Sequence, residues 1–177
     1  MKDLSDHLLD IVGNSIRAGA SLIEVSLEVL LDEEALVLRI RDNGCGMSPE
    51  LVAKVTDPFV TSRTTRKVGL GLPFLKMNAQ QTGGSLKVES EEGAGTLAEA
   101  VFYRHHIDCV PMGDLKESMA LIMSGNPEVD FVLSLKRGAE TFEIKSADIK
   151  EVLADVPINH PKVGRFLKEM MDFSLLE

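Results

Sequence analysis

The sequence predicts an α+β fold: a two-layer sandwich in which a sheet carries its helices on one face. Two observations lead there. Apolar residues recur at helical spacing in the first eighteen residues, and strictly alternating segments then come in pairs joined by short turns. The resulting order of helix, two strands, two helices and two strands suits an antiparallel or mixed sheet covered on one side.

Leu4, Leu8, Ile11, Val12 and Ile16 place a helix over residues 3 to 18, with Gly19 just past its end. Residues 22 to 30 alternate as a strand, Asp32-Glu33-Glu34 turns, and Leu36 to Ile40 returns. Ser48-Pro49-Glu50 reads as an N-cap, a first-turn proline and an acidic first turn, so a short helix runs to Val55. Residues 57 to 69 form a polar, basic loop. A helix from Leu70 to Thr82 follows, with Pro73 tolerated in its first turn and Gly83-Gly84 ending it. Ser85 to Ser90 and Thr96 to Tyr103 are the next strands. The segment from His105 to Gly113 reads as a linker, and the pair His105-His106 has no further ligand at metal-binding spacing. Beyond it the pattern is α-β-β-α: a helix over Asp114 to Ser124, a hairpin of Val129 to Lys136 and Thr141 to Ile144 around Arg137-Gly138, then helices beginning at Asp148 and spanning Lys162 to Phe173. This divides the chain into residues 1–104 and a smaller unit, 105–177, whose Phe131, Phe142, Phe166 and Phe173 are expected to form a small core against the sheet.

With 177 residues, 44% of them hydrophobic and 27% charged, the composition is that of a soluble globular protein. The net charge is −9. Eleven basic residues face fifteen acidic ones before His105, and eight face thirteen after it, so neither part has the cationic excess that nucleic acid demands. Cys45 and Cys109 stand alone, which suits a reducing cytoplasm and no disulfide framework. No leader and no bilayer-length apolar run is apparent.

Four segments carry chemistry. Asp10 and Asn14 are four residues apart on one helix face, with His7 on the same side. An amide oxygen there can ligate Mg²⁺, and a carboxylate can orient or deprotonate a water. Alone, such a pair is also the ordinary solvated face of a helix. Asp42 follows an apolar strand and precedes Gly44-Cys45-Gly46-Met47. It can accept from an exocyclic amine, with Gly44 and Gly46 letting the backbone approach a base. A plain Asp-Asn-Gly hairpin turn is the alternative. Arg63, Arg66 and Lys67 put three cations beside four hydroxyls between Thr61 and Thr65, and Gly69 and Gly71 flank a helix start whose free N–H groups favour an anion. The alternative is a surface loop with solvated charges. Gly93-Ala94-Gly95-Thr96 is a glycine-rich turn whose Thr96 hydroxyl can reach a ring nitrogen or an ordered water.

In this order the four segments resemble the GHKL ATPase family, which includes gyrase, the ninety-kilodalton heat-shock chaperone, histidine kinases and MutL. The resemblance covers about residues 5 to 104. Asp10 to Ala20 looks like the N box, Asp42 to Met47 the G1 box, Asp57-Pro58-Phe59 the F box, Gly69 to Leu72 the G2 box, and Gly95-Thr96 the last adenine-side motif. The resemblance implies a Bergerat ATP-binding fold with ATP and Mg²⁺ as cofactors. It implies Asn14 as the Mg²⁺ ligand, Asp42 as the adenine reader and Pro58 to Val68 as an ATP lid. Nucleotide contacts follow at Asn14, Ala18, Asp42, Gly44, Gly46, Met47, Phe59, Thr61, Arg63, Lys67, Val68, Gly69, Leu70, Gly71, Leu72 and Thr96. Asp10 falls where hydrolysing members carry a general-base Glu. The shorter side chain withdraws the carboxylate by about 1.5 Å, one backbone-like bond, and errors near 1 Å can cost about 10²-fold in rate.

The expectation is a cytoplasmic, stand-alone ATP-binding protein with three open functions. It is a slow ATPase or nucleotide-gated regulator, a serine/threonine kinase of the anti-sigma type acting on a partner protein, or a non-hydrolysing sensor of ATP and ADP. An unidentified protein partner is expected and homodimerisation is open; nucleic acid and membrane are not expected. His7 is expected to hydrogen-bond near the Mg²⁺ shell or solvent.

Overall fold

The computed structural model of the chain describes residues 2–57 and 70–177. Helix α1 (Leu4–Arg17) opens on Asp3, whose carboxylate accepts from the Asp6 amide. Past its end Gly19 takes φ +76°, a left-handed turn natural to glycine. Strands β1 (Leu22–Leu30) and β2 (Ala35–Asp42) form the expected hairpin. The short α2 (Pro49–Val52) is capped by Ser48, whose hydroxyl accepts from the Leu51 amide. Then come α3 (Gly71–Gln81), β3 (Ser85–Glu91), β4 (Gly95–Tyr103), α4 (Leu115–Gly125), β5 (Asp130–Arg137), β6 (Glu140–Lys145), α5 (Ser146–Leu153) and α6 (Pro161–Met170), followed by a 3₁₀ turn at Phe173–Leu176.

The described strands make one sheet in the order β3-β4-β2-β1-β5-β6. Neighbours are antiparallel except β1 and β5, which run parallel with Leu22 opposite Asp130 and Val29 opposite Arg137. The C-terminal hairpin therefore extends the sheet of the N-terminal part. Residues 105–113 are irregular but docked, with the Leu4 and Ser5 amides donating to the Pro111 and Met112 carbonyls.

A period of two sorts the sheet's side chains. Ile23, Val25, Leu27 and Val29 of β1 are buried, as are Leu36, Leu38 and Ile40 of β2 and Ala98, Ala100 and Phe102 of β4, and all join the helix-covered core with Leu8 and Val12 of α1. On the opposite parity Arg39 bridges Glu28 and Glu99 across three strands, and Lys136 of β5 reaches Glu28 at 2.8 Å.

Helix α2 ends at Val52, three residues short of the expected Val55, and three further details depart from expectation. Phe131 is 1% exposed within the main core and Phe142 and Phe173 pack at its edge, but Phe166 is 43% exposed. Helix α6 turns Val163 and Leu167 inward, four residues apart, and Phe166 falls beside that stripe. The helix also stops at Met170, because Met171 takes extended backbone (ψ 118°). Helix α5 begins at Ser146, two residues early, where the Ser146 hydroxyl accepts from the Phe131 amide and ties the helix to β5.

Candidate nucleotide site

Asp42 is the last residue of β2 and continues the buried parity of Leu36, Leu38 and Ile40, so its carboxylate points under the helices. It is 8% exposed. The Ser15 hydroxyl of α1 donates to Asp42 Oδ2 at 2.6 Å and the Gly44 amide donates to Oδ1 at 2.9 Å. Both oxygens keep lone pairs free. The sheet register sets Thr96 opposite Asp42 and Ser90 opposite Thr96. Ser90 and Thr96 hydroxyls are 2.9 Å apart, Ser90 also donates to the Gly95 carbonyl, and the Met47 amide donates to Ser90 at 2.9 Å. A row of one carboxylate and two hydroxyls thus crosses three strands at one end of the sheet.

The glycines of the turn are there for closeness. A Cβ on Gly46 (φ +65°) would stand 1.8 Å from the Glu91 carbonyl oxygen, and one on Gly44 would stand 2.9 Å from the Ala18 Cβ. Ala18 itself accepts from the Cys45 amide at 2.9 Å, so the C-terminus of α1 and the turn after β2 are stitched together. Asn43 holds the other side, its Oδ1 accepting from the Ser21 and Leu22 amides.

Helix α3 packs against α1. Its first residue, Gly71, has no room for a side chain because a Cβ there would sit 1.8 Å from Asp10 Oδ2. Among the described residues no side chain caps this N-terminus, which leaves amides at its first turn for an anion. Leu72 is buried beneath and Leu70 is half exposed. Asn14, one turn after Asp10, has its Oδ1 engaged by the Arg17 guanidinium. His7 departs from expectation: it is fully buried, and its Nε2 lies 2.7 Å from Asn78 Nδ2 of α3. Burial pushes its imidazole below the ordinary 6.5, which favours the neutral ring.

Residues 2–105 match the model of the histidine kinase-, DNA gyrase B- and HSP90-like ATPase family. The chain belongs to that family. It is 28% identical over 107 residues to the CAI-1 autoinducer sensor kinase/phosphatase CqsS of Vibrio cholerae, over 60% of this chain and 16% of that protein. It is 34% identical over 101 residues to the sensor protein SrrB of Staphylococcus aureus, over 54% of this chain and 17% of that protein. The chain thus spans about a sixth of the length of these curated relatives. Among solved structures, the MutL ATPase domain of Aquifex aeolicus complexed with ADP superposes over 96% of this chain and 88% of that one, at TM-score 0.51 and 20% identity. The N-terminal domain of a DNA repair protein superposes over 81% of this chain and 52% of that one, at TM-score 0.54 and 16% identity. Both are likenesses of fold.

The GHKL ATPase fold brings together Asp10, Asn14, Ala18, Asp42, Gly44, Gly46, Met47, Gly71, Leu72 and Thr96 along α1, the end of the sheet and the start of α3. Phe59, Thr61, Arg63, Lys67, Val68 and Gly69 lie outside the described residues. Arg41, Asp42, Ser90, Gly95 and Thr96 line a cleft of about 260 Å³. A larger cleft of about 550 Å³ runs along α3, but its Leu70, Phe74 and Met77 make it apolar and none of the site's carboxylates or hydroxyl row reaches it. The sequence reading passed over Ser15, Ser90 and Asn78. Ser90 was findable, since it shares the parity of Leu86 and Val88. Ser15 and Asn78 had no such signal, because only helix packing brings them to the site.

Among the described residues no cluster of His, Cys, Asp and Glu has metal-binding geometry. Asn14 Oδ1 is a neutral, hard oxygen of the kind that could hold an ion such as Mg²⁺, which keeps most of its waters.

Proposed function

We propose that the chain binds Mg·ATP, with the adenine against Asp42 and the phosphates toward the first turn of α3, and that it works as a slow ATPase or nucleotide-gated regulator. The observation that carries this reading is the Asp42 carboxylate. It is a buried acceptor, oriented by two donors and set beside hydroxyls that complete an adenine edge. The exocyclic amine of adenine would find an acceptor there; guanine would present an acceptor to an acceptor. The MutL ATPase domain of similar fold was solved with ADP, which supports nucleotide binding.

Asn14 would hold Mg²⁺ by exchanging its Arg17 contact for the ion. Bound Mg²⁺ would screen phosphate charge. Asp10, which lies against Gly71 at the start of α3, would orient a water near an anion held there. Residues 105–177 would serve a protein partner, and both cysteines, free thiols, suit a cytoplasmic setting.

Phosphate transfer to a partner is the second reading, favoured by the likeness to a sensor kinase/phosphatase. Calorimetry with ATP and magnesium tests the binding, and no heat at millimolar nucleotide would end the reading. Phosphate release by the chain alone then marks an ATPase. Label appearing on a second protein marks a kinase. Binding with neither marks a sensor, whose thermal stability ATP and ADP would shift unequally.

A further inference from the structure

Among the described residues, His7 Nδ1 and Asp10 Oδ2 are the buried side-chain polar atoms with no hydrogen-bond partner. Both belong to α1 and stand three residues apart, neighbours on one face. Their chemistry is complementary. Asn78 presents Nδ2 to His7 Nε2 at 2.7 Å, and an amide nitrogen only donates. With the Asn78 amide in this orientation Nε2 accepts, and the proton of the neutral ring rests on Nδ1. His7 is left with a buried donor lacking an acceptor, and Asp10 with a buried acceptor lacking a donor. Each by itself carries the full desolvation cost of its group. One hydrogen bond between them, direct or through a single water, removes both costs.

We propose that His7 is a positioning residue for Asp10: its Nδ1–H holds Oδ2, and Asn78 of α3 holds the ring in the tautomer that can donate. The role rests on the reading of Asp10 as the group that orients the attacking water. With Oδ2 anchored, Oδ1 is the oxygen left for that water, and the short Asp side chain is held in one orientation. Because Gly71 touches Asp10 and Asn78 touches His7, the first and second turns of α3 both bear on how the carboxylate stands. His7 is fully buried, so in this role it acts on the attacking water through Asp10.

Long-range ¹H–¹⁵N spectra of the nucleotide-free protein read the tautomer. The expected result is a ring protonated at Nδ1 and bare at Nε2, whose Nδ1–H resonance moves upfield in Asp10→Ala. In phosphate release, His7→Gln, whose amide reproduces Nε2 but not Nδ1, lowers kcat by roughly 10- to 100-fold while ATP affinity is kept. His7→Asn, whose amide nitrogen takes the place of Nδ1, restores most of it. A role in packing alone would not separate the two amides. An Nε2-protonated ring, an Nδ1–H resonance indifferent to Asp10→Ala, or equal kcat in the two variants overturns the proposal. The spectra need no nucleotide, so a protein that fails to bind ATP sinks the nucleotide reading while the tautomer still decides the pairing.

Discussion

Ser15 of α1 donates to Asp42 of β2 at 2.6 Å, across 27 positions of sequence. This bond joins the helix that carries Asp10 and Asn14 to the strand end that carries the proposed adenine acceptor. This side-chain contact and the Cys45–Ala18 backbone bond tie the two halves of the proposed site together, and several variants separate their contributions.

Asp42→Ala removes the acceptor and is expected to weaken ATP by about 1–3 kcal/mol, roughly 5- to 150-fold. Ser15→Ala keeps the carboxylate but frees its orientation, so a loss of about 0.5–1.5 kcal/mol is expected. Titration calorimetry of both checks the order. Ser15→Ala weaker than Asp42→Ala would contradict the assignment of the reader.

Asn14→Ala is expected to abolish the gain in ATP affinity that magnesium brings and to leave magnesium-free ADP binding within about threefold, a change under 1 kcal/mol. Paired titrations with magnesium and with chelator measure it. An undiminished magnesium effect would move the metal ligand elsewhere.

Gly46→Ala and Gly71→Ala should differ in kind. At Gly46 the new Cβ meets the backbone carbonyl of Glu91 at 1.8 Å and must take φ +65°, so stability falls by about 1–3 kcal/mol or more. At Gly71 the Cβ meets the tip of the Asp10 side chain, which can swing away. That variant keeps most of its stability and loses turnover, by about 10²-fold if the carboxylate shifts near 1 Å. Thermal melts beside phosphate-release rates distinguish the two.

Lys136 first, and then Arg39, hold the Glu28 carboxyl below its ordinary 4.5. A carboxyl depressed in the folded state contributes stability that is fully present above pH 4.5 and is lost as pH falls through the lower folded value. Glu28→Gln should therefore flatten the acid limb of the stability curve below that pH and leave its shape near neutrality unchanged. Denaturant melts at stepped pH, wild type against variant, read this out; parallel curves would show that the cross-strand network carries no linkage.

The local elements were legible because each is written in near neighbours. The period of 3.6 from Leu4 to Ile16, the period of two in β1, the Ser48-Pro49 start of α2 and the Gly83-Gly84 stop after α3 all act within a turn or a pair of residues. The motif glycines and acids were legible for the same reason: Asp42-Asn43-Gly44 and Gly69-Leu70-Gly71 are chemical statements over a few residues.

What the chain alone determined was thus the alphabet of the proposed site, Asp10, Asn14, Asp42, Gly71 and Thr96, and the elements that bear them. Tertiary structure alone decided which polar groups support them: Ser15 on Asp42, Asn78 on His7, Gly71 on Asp10, and β5 lying parallel to β1. Those pairings close loops of tens of residues, and a sequence encodes them only through the summed burial of whole faces, which no short pattern reports.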